Sequence, residues 1–144
     1  MPTHGPTRWQ ARLASRPSRL LLAVFFITAG VLHFVFPNAY IRVMPAWLGW
    51  HAALVAISGV AECAGGVGVL MAVTRRWAGW GLLALCVAVL PANVQMLIDG
   101  LAAGKPAWVI ALLVVRLPLQ ALLMWWIWWA AAASVASPEI DSTH

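Results

Sequence analysis

Charge is the scarcest commodity in this chain. Only 9% of its 144 residues are charged, four of them acidic, against about 25% in a soluble domain. With 63% hydrophobic residues and a mean hydropathy of +0.87, that scarcity excludes an ordinary water-exposed fold. Cysteine is equally sparse. Cys63 and Cys86 each fall inside an apolar run with no Cys-x-x-Cys partner, which argues against disulfide-generating chemistry. No phosphate-binding glycine loop, metal-ligand spacing or nucleophile triad occurs. A bis-histidine haem would need His33 and His51, whose spacing is not diagnostic.

What is present in quantity is long apolar sequence. Four runs, Leu20 to Phe36, Trp50 to Val73, Trp77 to Ile98 and Trp108 to Ala133, reach the roughly 17–25 residues that cross a hydrocarbon core as helix. The expected organisation is an all-α four-transmembrane-helix bundle over residues 20–133. A basic arm (1–19) precedes it and a polar tail (134–144) follows. The first run could be the core of a signal peptide, but it exceeds the usual length of about 7–15 residues and no small-x-small cleavage site follows. The tail has too little apolar surface to order itself.

The net charge of +5 would admit nucleic acid as a partner, yet topology explains its distribution better. Arg8, Arg12, Arg16, Arg19, Arg75 and Arg76 fall on one side of a four-span chain, and only Arg42 and Lys105 on the other. The positive-inside rule then puts both termini in the cytoplasm. Trp9, Trp77, Trp80, Trp125, Trp126, Trp128 and Trp129 mark the cytoplasmic interface and Trp47, Trp50 and Trp108 the outer one, with none at mid-span. The expected location is a bacterial cytoplasmic membrane. Residues 37–49, proline-marked and too short to span, read either as a lid at the outer interface, carrying Tyr40, Ile41, Met44, Trp47 and Leu48, or as a plain outer loop.

Against this background the polar residues within the spans stand out. An isolated charge at mid-helix costs about 2.5–3.5 kcal/mol on insertion scales, tolerable where it finds a partner or water. At 1.5 Å per residue from the outer ends, His33 lies roughly 5 Å deep and Asn93 roughly 8 Å. Arg116 lies roughly 12 Å deep, with Glu62 and Gln120 both near roughly 18 Å. Every span contributes to a set confined to the outer half, which suggests a vestibule entered from outside or laterally from the outer leaflet. Pro91 and Pro118 each free a carbonyl beside this set. Ser58, Gly59, Ala61, Ala64, Gly65, Gly66 and Gly68 around Glu62 predict a close helix contact.

Two readings stand for each residue. Glu62 and Arg116 are either a structural ion pair or pocket-lining charges. Asn93 and Gln120 are interhelical hydrogen-bond partners or ligand contacts. His33 bonds a backbone carbonyl or exchanges protons.

The chain resembles the DoxX-like family of small integral membrane proteins in Gly30-x-x-His33-Phe34 before Pro37, Pro45-Ala-Trp-Leu48, Ser58-Gly-x-x-Glu62, Pro91-Ala-Asn-x-x-Met96 and Arg116-Leu-Pro-Leu-Gln120. The resemblance covers roughly Leu20 to Trp129 and implies a compact four-helix bundle. Relatives include a membrane subunit associated with thiosulfate-to-quinone electron transfer, proteins of membrane oxidoreductase complexes and members with no assigned activity, and no catalytic residue maps from them onto this chain.

Three functions follow as expectations. The first is an accessory subunit of a membrane redox system, with an outer-half pocket for a quinone-like or other small amphipathic molecule. Arg116, Asn93 and Gln120 would hydrogen-bond its head while Glu62 and His33 manage protons. The chain supplies no redox centre, so an oxidoreductase partner would carry the chemistry, and quinone is the candidate cofactor. The second is a proton-coupled small-molecule transporter acting as a homo-oligomer. The third is an assembly factor for another membrane protein.

Overall fold

The computed structural model describes residues 7–133, so the polar tail expected at 134–144 lies outside the described residues. The elements are α1 (Arg8–Leu13), α2 (Arg16–Val35), α3 (Pro37–Ile41), α4 (His51–Leu70), α5 (Arg75–Ala102) and α6 (Ala107–Ile127). The last continues as a π-helical stretch, Trp128–Ala132, and no strand occurs among the described residues. Four helices are long and apolar enough to cross a membrane: α2, α4, α5, and α6 with its π continuation.

Local chemistry sets the boundaries. Helix α2 starts at Arg16, four residues before the apolar run, because the Ser15 hydroxyl accepts from the Ser18 amide (3.4 Å) and Pro17 sits in the first turn, where no amide donor is needed. It ends where Pro37 pushes Phe36 out of the helical region. At the other end of α4, the carbonyls of its last turn are taken up by side chains. Thr74 Oγ1 donates to the Gly68 carbonyl (2.9 Å), and Arg75 Nε donates to that of Val69 (3.0 Å). Arg75, assigned from sequence to topology, thus also closes a helix end. Helix α5 runs four residues past its expected end, with Gln95 Nε2 donating to Asp99 Oδ1 (2.8 Å) one turn on. It stops in a Schellman turn, where Gly104 takes φ +60° and the Lys105 amide donates to the Gly100 carbonyl (3.1 Å).

Packing follows chain order: α2 lies along α4, α4 along α5, and α5 along α6. The α2–α4 crossing is close because glycine faces glycine. A Cβ on Gly30 would sit 2.6 Å from the Gly59 carbonyl oxygen, and one on Gly59 would sit 2.9 Å from that of Gly30. The buried core of Leu22, Phe26, Val69, Leu82, Cys86, Ile127, Ala130 and Ala131 gathers at the end of the bundle where the described chain begins and finishes. Trp126 Nε1 donates to Ser18 Oγ (2.8 Å) and Arg19 Nε to the Ala130 carbonyl (3.0 Å), joining the first and last long helices there. The arm is also held: Trp9 of α1 stacks on Trp125 (centroids 5.8 Å) and meets Trp129 edge-on (5.1 Å). Toward the opposite end, that of α3, α2 and α6 barely touch, and a cleft opens between them.

Candidate functional site

The cleft encloses about 470 Å³ and takes lining from five helices. Its floor is Trp126, its walls are Phe25, Phe26, Val89, Leu119, Leu122 and Leu123, and its polar side groups cluster toward the α3 end. On α6 the lining residues Arg116, Leu119, Gln120, Leu123 and Trp126 recur at helical spacing and so form one face. All five residues singled out from sequence (His33, Glu62, Asn93, Arg116 and Gln120) line this one space.

Their partnerships differ from expectation in one respect. Glu62 does not pair with Arg116; its Oε2 lies 3.3 Å from His33 Nδ1, the sole acid–base contact among the described residues. The reason is topological. Helices α4 and α6 stand on opposite sides of α5, so similar depth does not bring their side chains together. His33 and Glu62 meet because side chains lean toward the N-terminus of their own helix, and α2 and α4 run antiparallel. His33 folds back one turn, its Nδ1 donating to the Ala29 carbonyl (2.9 Å), while Glu62 leans the opposite way to meet it. The two side chains are only 12% and 16% exposed. The Nδ1 proton is directed at Ala29, so Glu62 Oε2 has the imidazole's proximity without a well-formed hydrogen bond, and it is a buried acceptor with none. An acceptor in that condition awaits a donor.

Asn93 and Gln120 form a buried ladder across the α5–α6 interface. Asn93 Nδ2 donates to Gln120 Oε1 (2.7 Å), and Gln120 Nε2 donates to the Cys86 carbonyl (2.6 Å), one residue before the carbonyl that Pro91 leaves unbonded. Gln120 therefore spends one donor and one acceptor on α5. Arg116 is exposed at the cleft and makes no hydrogen bond or ion pair with any described residue.

Tyr40 is the site residue that sequence reasoning missed. The sequence places it only on the 37–49 segment, as part of a lid or a plain loop, whereas α3 folds it onto the cleft, where its ring stacks on His33 with centroids 3.9 Å apart and planes at 21°. Burial raises its phenol above the ordinary value and the nearby Glu62 raises it further, while Arg116 pulls the other way. Both charges thus act on one hydroxyl. Segment 37–49 is anchored behind Tyr40 by buried Pro45, whose carbonyl lies 3.0 Å from His51 Nε2, and it turns into α4 at Trp50, a bulky residue at φ +57°. That tyrosine is the only one in the chain, and its position four residues past the α2-ending Phe36 was the available signal.

The arrangement offers an imidazole beside a carboxyl group, a stacked phenol and an unpaired guanidinium at one end of an apolar cleft. No three His, Cys, Asp or Glu side chains converge among the described residues. No curated protein and no solved structure matches the chain. A family model does, over residues 22–131, which takes in all or most of each of the four long helices and every residue lining the cleft, and the chain therefore belongs to the family described as Domain of unknown function (DUF8561).

Proposed function

We propose that the protein is an integral membrane protein of the bacterial cytoplasmic membrane. Both termini face the cytoplasm, and the cleft admits a small amphipathic molecule sideways from the outer leaflet. The protein serves as accessory subunit to a membrane oxidoreductase of the kind found around DoxX-like proteins, with a quinone as one candidate occupant. The observation that carries the reading is the amphipathic build of the cleft: an apolar floor and walls, polar groups at one end, and an open side between α2 and α6. An exterior rich in exposed apolar side chains such as Leu21, Val73 and Leu112 supports burial in lipid. The orphan carboxylate of Glu62 favours a second reading, proton-coupled passage of a small molecule.

Native mass spectrometry of the full chain from nanodiscs tests occupancy. A bound small molecule should be present in the parent and lost in Leu123→Trp, which fills the cleft; an empty parent, or retention by the variant, refutes the pocket. Proton-driven flux in liposomes containing this protein alone would select the second reading. For orientation, cysteines at Ala39 and Ala103 should react with an impermeant reagent in intact cells and one at Ala11 should not. The reverse pattern inverts the topology.

A further inference from the structure

Arg116 sets a condition on whatever fills the cleft. It lies about two turns inside α6, faces the cleft, and has neither hydrogen bond nor ion pair among the described residues. The acid that could have neutralised it, Glu62, lies against His33 at the α2–α4 contact and forms no ion pair with Arg116. A neutral head group would leave the guanidinium charge without a counter-charge at the polar end of the cleft, and an amine would add a second positive charge. A carboxylate offers the planar, two-oxygen acceptor that a guanidinium binds best. From Arg116 to Trp126 the lining face of α6 extends about 15 Å, walled by leucines and phenylalanines. That length suits a medium alkyl tail.

We infer that the cleft takes a single-chain amphiphile with a carboxylate head, the head on Arg116 beside Tyr40 and the tail running down to Trp126. This rests on the pocket reading above and narrows it from amphiphiles in general to anionic ones. The groups facing the head are Arg116 from α6, Tyr40 from α3, His33 from α2, Glu62 from α4 and Cys86 from α5. Among them only Arg116 carries a fixed positive charge, and the buried Glu62 would repel the head unless it keeps its proton.

The test is binding of labelled dodecanoate to the full chain in nanodiscs of phosphatidylcholine, against dodecanol, dodecylamine and a short-tailed benzoquinone. Dodecanoate should bind at least about tenfold more tightly than the other three, the scale of one charge-assisted contact. Arg116→Gln should abolish that preference while leaving dodecanol within about twofold, which also reports an intact cleft, and Arg116→Lys should keep most of it. Equal affinity across the series, tighter binding of the benzoquinone, or an unchanged preference in Arg116→Gln overturns the head-group assignment while the pocket stands. If none of the four probes binds, the pocket reading fails as well. Loss of the preference when phosphatidylglycerol replaces phosphatidylcholine would assign Arg116 to a lipid phosphate and overturn the proposal.

Discussion

Gly30→Ala is the smallest change that should disturb both the fold and the site. The new methyl carbon would lie 2.6 Å from the Gly59 carbonyl oxygen and 2.6 Å from Cys63 Sγ, with the Cys63 amide nitrogen at 3.0 Å. Ordinary contact begins near 3.4 Å, a shortfall of about 0.8 Å, and two of the three obstructing atoms are backbone atoms that cannot rotate away. Overpacking costs about 1–3 kcal/mol, and fixed obstacles put this site near about 3. Alanine's better helix propensity returns about 1 kcal/mol, so the net loss is about 2 kcal/mol, roughly thirtyfold in the unfolding equilibrium. Gly81→Ala is the control: nothing lies within 4 Å of its added carbon, so only the propensity term acts and stability should rise by up to about 1 kcal/mol. Reversible unfolding in mixed micelles, followed by tryptophan emission, measures both. If Gly30→Ala matches or exceeds the parent, the close α2–α4 crossing is refuted, and with it the register that sets His33 against Glu62.

Two further outcomes follow from the polar end of the cleft. In double-substitution cycles, His33→Leu and Glu62→Leu should be coupled by about 0.5–3 kcal/mol, and more strongly than Glu62→Leu and Arg116→Leu, which share only the cleft and Tyr40. The opposite ranking would restore the direct Glu62–Arg116 pair. Because Tyr40 is the sole tyrosine, tyrosinate absorbance titrates it alone: its midpoint should lie above the usual value near 10, fall in Glu62→Gln, and rise in Arg116→Gln. A midpoint indifferent to both substitutions would separate Tyr40 from these charges.

Much of the fold was legible because hydropathy reports span number directly, and the polar residues Glu62, Arg116, Asn93 and Gln120 stood out against it. Depth along each helix was legible too, since rise per residue is fixed. The order of helices around the bundle was not. Depth alone paired Glu62 with Arg116, while the glycine contact and the N-terminal lean of side chains on antiparallel helices give it to His33. The spacing Gly30-x-x-His33 against Gly59-x-x-Glu62 held that information, but reading it required knowing that α2 and α4 are neighbours. The start of α2 and the docking of α1 escaped because arginines there obscure the apolar pattern. Trp125 and Trp129, one turn apart, were the sign of a surface waiting for Trp9.

Trp126, the floor of the cleft, is held from behind by contacts between residues far apart in sequence, Ser18 with Trp126 and Arg19 with Ala130. Synthesis delivers the N-terminal partners first, so these contacts cannot form until nearly the last described residue has emerged. Loop closure over more than a hundred residues then has to be met by a handful of contacts. In kinetic terms the floor is a late event, absent from any nascent chain that lacks the end of α6. A product truncated before Trp126 could retain the glycine crossing and the His33–Glu62 contact and still present a slot open at both ends. Closure of the cleft at that end thus depends on the chain being present through Ala130.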